Sequence, residues 1–519
     1  MKGGKDMPNT PCIEMQGICK SFGSVKANKN ASLEVVEGEI HALLGENGSG
    51  KSTLMNMLSG IYAPDAGTIK IKGEAVNFTS PHDSIAAGIG MVHQHFKLVE
   101  IMTAAENISS GGERGFFRRH DRINKKIEDL CEKYGLDLTP DKKVYTMSVG
   151  EKQTVEIVKM LYRGANMFIL DEPTAVLTPQ ETNVLFDILR NMKKRGCAII
   201  IITHKLNEVM EISDRVTVLR AGETVGTVNT RDTNPKELTE LMVGKPVELK
   251  IERSEPKLSE KPVLVVDKLC CENDLGRKVL SDFSFTVNGG EILGVAGIAG
   301  SGQKELCETI AGLEKSSGGS VKFLGEEILG LSPIDILRRG VSMSFVPEDR
   351  LGMGLVAGMD ITNNVMLRSF KKKKGIFVDR AENKRRAEEI VERYNVSTPS
   401  VNHVLKKLSG GNIQKVLLGR EVELNPILLI TAYPVRGLDI NASYNVYDIL
   451  NDQKANGVAI LFIGEDLDVL LALCDRLLVM HDGEVMDIVD PKKVTKEEVG
   501  LLMLGHRPDD KKGGEEEKC

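Results

Sequence analysis

Gly38-Glu39-Ile40 returns 252 residues later as Gly290-Glu291-Ile292, and at the same offset Lys51 falls on Gln303 (303 − 51). Ser148-Val149-Gly150 returns as Ser409-Gly410-Gly411, and Pro173 as Pro434, both at 261 (409 − 148). The second half is therefore a second domain of the same build, with a 9-residue insertion between the two landmarks (261 − 252). A chain of 519 residues is too long for one hydrophobic core and suits two domains of about 240 residues. Residues 12–248 read as the first domain and 263–505 as the second. Residues 249–262, rich in Lys, Glu, Ser and Pro, read as a linker, and 506–519 as a solvated charged tail.

Within the first copy, Gly45-Glu46-Asn47-Gly48-Ser49-Gly50-Lys51-Ser52-Thr53 fits the phosphate-binding pattern G-x-x-x-x-G-K-[ST] at every specified position. The apolar run before it, Glu39 to Leu44, reads as a buried strand, and Thr53 to Leu58 opens a helix, which is the context that pattern needs. Its glycines leave backbone N–H groups free to surround phosphate oxygens at a helix N-terminus. Lys51 then contacts the β- and γ-phosphates and Ser52 the Mg²⁺, so the chain is expected to bind a nucleoside triphosphate.

The run Asn166 to Pro173 is an apolar strand ending in Asp171 and Glu172, as expected of a buried parallel strand that delivers carboxylates to its C-terminal edge. Asp171 suits a water-bridged Mg²⁺ contact. Glu172, one residue on, suits a group that orients or deprotonates the attacking water in an in-line phosphoryl displacement. Cys197 to Thr203 reads as a further buried strand, ending in His204, a donor to a γ-phosphate or else a capped surface residue.

Between these strands lies Met147-Ser148-Val149-Gly150-Glu151-Lys152-Gln153, followed by helical spacing of Val155, Val158 and Leu161. The order of phosphate loop, Gln94, Ser-Val-Gly-Glu, Asp171-Glu172 and His204 resembles the nucleotide-binding domain of ABC transporters, and the resemblance runs from about residue 12 to 505. It implies an α/β fold of two tandem P-loop NTPase domains. Each would have a mixed, mainly parallel sheet core, an antiparallel β subdomain and an α-helical subdomain. It implies that Gln94 touches metal and water and senses a membrane subunit, and that an upstream aromatic, here Phe22, stacks on adenine. Phe22 is equally well read as an ordinary core residue.

The second copy keeps the frame and loses the chemistry. Its loop, Gly297-Ile298-Ala299-Gly300-Ser301-Gly302-Gln303-Lys304-Glu305, has glutamine at the lysine position and lysine at the Mg²⁺-hydroxyl position. Asp171 falls on Ala432, Glu172 on Tyr433, Gln94 on Glu348 and His204 on Glu465. No aromatic between Cys270 and Asp282 matches Phe22. By contrast Leu408-Ser409-Gly410-Gly411-Asn412-Ile413-Gln414 is a full signature, and Gly437-Leu438-Asp439 keeps an aspartate that the first copy replaces with Leu177-Thr178. The resemblance implies head-to-tail pairing of the copies. The loop with Lys51, Ser52, Asp171, Glu172 and His204 would then receive Ser409, Gly410, Gly411 and Asp439. The degraded loop, with Gly297, Gly300, Gly302, Gln303 and Lys304, would receive Ser148 and Gly150. One hydrolytic and one binding-only ATP site per chain is the expectation.

A formal charge of −6 argues against a nucleic-acid partner, which demands a basic face. The run Lys371 to Lys374 is local, a solvated loop or a contact with lipid head groups or a membrane partner. Nine scattered cysteines without paired C-x-x-C motifs fit a reduced cytoplasmic compartment. His93 and His95 lack a third metal ligand at usable spacing. Neither an apolar signal region nor a run near the roughly 20 apolar residues of a bilayer span is found, so the chain must borrow a pore.

The resemblance therefore implies the peripheral ATPase of an importer at the cytoplasmic face of the membrane. Two membrane permeases and an extracytoplasmic binding protein or lipoprotein would be its partners. Soluble tandem ATPases acting on ribosomes or nucleic acid, the other class, usually keep both sites and carry a long charged linker. Within importers, Met91 to Phe96, Leu161 to Gly164 and Glu172 to Glu181 look like nucleoside-importer ATPases rather than those for ribose- or galactose-type sugars.

Overall fold

A computed structural model describes residues 11–507 except 24, 94–95, 111–119, 176, 204, 245–250, 252, 257, 273–275, 277, 299, 339–342, 348–349, 369–379, 437 and 439. The chain forms two compact units, Met1–Glu248 and Leu249–Cys519.

In the first unit the runs Ile40–Leu44, Met167–Asp171 and Ala198–Ile202 are too continuously apolar to leave one face in water, and they become central parallel strands. The six-stranded sheet runs Glu223–Asn229, Arg215–Arg220, Ile40–Leu44, Ala198–Ile202, Met167–Asp171, Ile89–Val92, parallel apart from the first. Ile40 pairs with Ile199 and Asp171 with Ile202, so the phosphate loop and the two acids leave the sheet at the same edge. A four-stranded antiparallel sheet, in the order Val25–Val36, Pro11–Phe22, Ala66–Ile71, Glu74–Val76, packs Ile13, Met15, Leu33 and Val35 against Leu54, Met55, Ile169 and Ile200. On the opposite face, Phe168, Ile199 and Ile201 meet Val155, Val158, Leu185, Leu189 and Met192 from the helices Val149–Tyr162 and Pro179–Lys194. The parallel sheet is covered on both faces, as its composition demands.

The second unit repeats this arrangement. Its six-stranded sheet has the order Met343–Val346, Leu428–Ala432, Ala459–Ile463, Ile292–Ala296, Arg476–His481, Glu484–Val489. Its antiparallel sheet has the order Lys278–Asn288, Pro262–Glu272, Ser316–Phe323, Glu326–Glu327.

Two features add detail to the repeat and the linker. The 9 extra residues do not enter as one block. Ile89 pairs with Met167 as Met343 pairs with Leu428, an offset of 254. The Val99 and Val356 amides donate to the side-chain Oδ1 atoms of the equivalent Asn107 and Asn364 at 257, and 261 holds from the signature onward. The insertion thus divides into 2, 3 and 4 residues, and the middle piece falls at a single π-helical turn, Arg350–Gly354. Splitting places each piece where no sheet register is broken.

The stretch read as a linker also makes contacts of its own. Ile251 packs on the second unit's core, the Arg253 guanidinium donates to the Cys474 carbonyl, and the Lys454 ammonium donates to the Ser254 carbonyl. These contacts fasten it as a strap on the second unit.

Candidate active site

Gly45 to Gly50 wraps the space between the strand Ile40–Leu44 and the helix Lys51–Leu58. Gly50 caps the helix at φ 97°, and a side chain there would run into the Ala27 carbonyl and the Asn28 amide. Gly48, at φ 81°, has no atom within 4 Å of where a Cβ would lie, so the space beside it is open. Lys51 is only 7% exposed, and its ammonium donates to the Gly45 carbonyl at 2.7 Å and the Glu46 carbonyl at 3.0 Å. Burial lowers its pKa, against the carboxylates of Glu172, Asp171 and Glu46, which raise it. Buried Ser49 leaves its hydroxyl without a hydrogen-bond partner among the described residues. Asn47 and Ser52 are exposed, and Thr53 is half-buried.

Asp171 ends its strand half-buried, and its carboxyl is pushed up by burial and by Glu172, with Lys51 partly opposing. Glu172 turns the chain off the strand at φ 47°, with its amide bonded to the Ile202 carbonyl at 2.8 Å. A non-glycine residue in this left-handed region costs about 1 kcal/mol or more, and the neighbouring sheet bond holds it there. Lys51, Asp171 and Glu172 thus act on one another electrostatically at the sheet edge. Gln94 and His204, assigned to the same site by sequence, lie outside the described residues, as does Asp439.

Phe22 is 45% exposed at the end of its strand, which removes the core reading. Its ring meets Tyr62 edge-on at 5.2 Å, and the Lys20 ammonium lies 5.8 Å from its centroid. Tyr62 is a partner that sequence reasoning missed. It is 38% exposed in the turn after the loop helix, a position without a motif of its own. Gln153 was missed as well. It stands in the quoted signature stretch, is 2% exposed, and donates to the Pro173 carbonyl at 2.9 Å, tying the signature helix to the acidic strand end.

Ser148 caps the signature helix, accepting from the Glu151 amide at 3.2 Å. The Glu181 carboxylate lies 3.5 Å from the Ser148 hydroxyl and sits 3.0 Å from where a Cβ on Gly150 would be. Ser409 caps the equivalent helix, Gly410–Val422, through Asn412, and Ala442 takes the place of Glu181.

The second copy preserves the backbone of the acidic edge without its acids. Tyr433 holds φ 50°, with its amide on the Ile463 carbonyl at 2.9 Å, matching Glu172. Gln303 donates to the Ile298 carbonyl at 3.0 Å, reproducing the bond from Lys51 to Glu46 with a neutral group. Ala432 ends the strand where Asp171 stands in the first copy. Glu465 pairs with Arg436 at 3.2 Å, and that guanidinium lies over the Tyr433 ring. Gln414, the counterpart of Gln153, is fully buried, and its amide has no hydrogen-bond partner among the described residues.

The family profile described as ABC transporter matches residues 28–175 and again 280–432. The chain belongs to the ABC transporter family. Among curated members, the guanosine import ATP-binding protein NupO of Bacillus subtilis is 44% identical over 95% of this chain and 97% of its own length. The nucleoside import ATP-binding protein NupA of Lactococcus lactis is 43% identical, covering 96% of this chain and 99% of its own length. The glucose import ATP-binding protein TsgD13 of Haloferax volcanii is 40% identical, covering 96% of each.

Nucleotide with Mg²⁺ is what this family's loops hold, and the first copy fits both. The orphaned Ser49 hydroxyl and the Lys51 ammonium suit phosphate oxygens, while exposed Ser52 and the neighbouring carboxylates of Asp171 and Glu172 suit a divalent cation. Mg²⁺, when bound, neutralises phosphate charge. Ser52 and Asp171 are the described residues that would hold it.

Proposed function

We propose that this chain is the ATP-binding and ATP-hydrolysing subunit of a nucleoside importer, peripheral at the cytoplasmic face of the membrane. It would energise two separate permease subunits fed by an extracytoplasmic binding protein, with no nucleic-acid partner. The observation that carries the reading is that the strand register brings Lys51's loop, Asp171 and Glu172 to one sheet edge, and that these three residue types stand there in the first copy alone. In this mechanism the Lys51 ammonium exchanges its two loop carbonyls for phosphate oxygens, and the Glu172 carboxylate orients the attacking water and takes its proton. His204 and Gln94 complete the γ-phosphate and metal contacts, and Phe22 stacks on the base. Among the described residues no helix is long and apolar enough to cross a membrane. Val99, Ile101, Met102 and Tyr145 are exposed and drawn together by the bonds of the Val144 and Tyr145 amides to the Met102 and Glu100 carbonyls. An apolar patch of that kind supports a permease contact.

The names of the guanosine and nucleoside import relatives favour nucleosides as cargo, and the glucose relative keeps monosaccharides as the second reading. Uptake into vesicles holding this chain with its native permeases and binding protein separates them. Labelled guanosine or adenosine should accumulate, ribose and galactose should not, and Glu172→Gln serves as the blank. Sugar accumulation without nucleoside would reassign the cargo and leave the ATP chemistry standing.

From the family resemblance we also propose that Ser409, Gly410, Gly411 and Asp439 complete the first copy's site. Ser409→Arg should then abolish turnover, because a bulky cation would stand where the signature meets phosphate. Full turnover in a folded Ser409→Arg chain would sink this pairing. The matching change at Ser148 should be milder, since Glu181 already places a carboxylate beside that helix start.

A further inference from the structure

Each position that serves a divalent metal in the first copy has changed in the second, while the described backbone bonds of the phosphate loop recur. The Ser301 amide bonds to the Ile298 carbonyl at 3.1 Å, as the Ser49 amide does to Glu46 at 3.0 Å. The Leu306 amide reaches Gly302 at 2.9 Å, as Leu54 reaches Gly50 at 2.9 Å. The Gly483 amide bonds to Ser301 at 3.0 Å, as Gly222 does to Ser49 at 3.1 Å. Gly300 and Gly302 hold φ 91° and 106°, beside 81° and 97° for Gly48 and Gly50. With Gln303 reproducing the inward bond to the loop, these described features of the cradle occur in both copies.

The metal donors are a different matter. Ser52 becomes Lys304, whose side chain is 68% exposed with its ammonium 4.0 Å from Glu308. Asp171 becomes Ala432, and Tyr433 follows it in place of Glu172. Glu465 spends its charge on Arg436 at 3.2 Å. A magnesium ion needs a hard oxygen donor set, and an ammonium at the ligand position offers it no donor. At the described positions, Lys304, Ala432 and Tyr433, the second site therefore does not fit the metal that the family implies.

We infer that the second copy's loop binds the metal-free form of a nucleoside di- or triphosphate, with the Lys304 ammonium supplying the positive charge that Mg²⁺ supplies at the first. This rests on the nucleotide-binding reading of the chain and deepens it. Lys304 sits on the first turn of the loop helix Gln303–Ile310, next to the amides that meet phosphate, and an exposed ammonium there neutralises phosphate charge without ordering a metal shell. Without metal or base the bound nucleotide stays intact.

Equilibrium dialysis of the full chain with radiolabelled ATP tests this. With Mg²⁺ the chain should hold two nucleotides, one of them lost in Lys51→Ala. In excess EDTA the Lys51→Ala chain should keep its single nucleotide with affinity within about threefold of that in Mg²⁺. Lys304→Ala should weaken that binding by about tenfold or more, and Lys304→Arg should restore most of it. The exposed position of Lys304 makes these variants safe for folding. Loss of the Lys51→Ala chain's nucleotide on chelation would overturn the inference, as would indifference to Lys304→Ala. A single nucleotide in Mg²⁺, lost wholly in Lys51→Ala, would overturn it while leaving the first site intact. No nucleotide bound to the unsubstituted chain would instead overturn the nucleotide-binding reading itself.

Discussion

Glu172→Gln is expected to lower ATP turnover by about 10²–10⁴-fold, because it removes a carboxylate that acts on the attacking water and keeps the side-chain volume. Lys51→Ala should cost a similar factor through lost charge at the phosphates, and it also frees the carbonyls of Gly45 and Glu46 that its ammonium now satisfies. Gln303→Ala should change turnover by less than about tenfold, since Gln303 only donates to the Ile298 carbonyl within its own loop. Gln303→Lys should not create a second hydrolytic site, because Ala432 and Tyr433 still stand where an acid pair is needed. Phosphate release by the purified chain, with binding measured beside it, decides the matter. Equal sensitivity of the two loops would refute the asymmetry.

That asymmetry was legible in sequence because it lies in side-chain chemistry at positions fixed by a repeat. The loss of lysine at 303 and of acids at 432 and 433 can be read by counting residues. The parallel strands were equally legible, since runs such as Ala198–Ile202 have no polar face to turn to water. What sequence did not disclose is the backbone they share. Tyr433 has no local preference for a left-handed conformation, yet it adopts φ 50° because the bond to Ile463 in the next strand imposes it. Glu181 is likewise a helix-capping acid by local rules, bonded through one oxygen to the Thr178 amide at 3.0 Å. Only the packing of two helices brings its other oxygen to Ser148. The three-way split of the insertion and the strap at 251–256 also depend on contacts between residues far apart in the chain. Periodicity and composition carry no record of these.

The strap makes a second large effect testable, on stability rather than turnover. Lys454 and Asp475 stand 261 residues beyond Lys193 and Asp214, and each pair is bonded, at 2.7 Å and 2.5 Å. Each aspartate also accepts from a core-strand amide, Asp475 from Ile292 and Asp214 from Ile40, both at 2.9 Å. The surroundings differ. The side chains of Lys454 and Asp475 are 0% and 9% exposed, with the Ser254 carbonyl also on the ammonium, whereas Lys193 and Asp214 are 34% and 39% exposed. Asp475→Asn leaves a buried ammonium without its counter-charge and should cost the second unit about 3–5 kcal/mol, because a desolvated charge loses both water and partner. Asp214→Asn, in a pair that water and salt already screen, should cost about 1 kcal/mol or less. For units of this size the difference amounts to a fall on the order of 10 °C in one unfolding transition and a few degrees at most in the other. Scanning calorimetry of the full chain, with the two transitions fitted separately, measures both. Adding Lys454→Met to Asp475→Asn should recover much of the loss, since an apolar chain of similar length needs no counter-charge under the strap. Equal small shifts from Asp475→Asn and Asp214→Asn, or no recovery in the double variant, would show that the strap does not bury a charge.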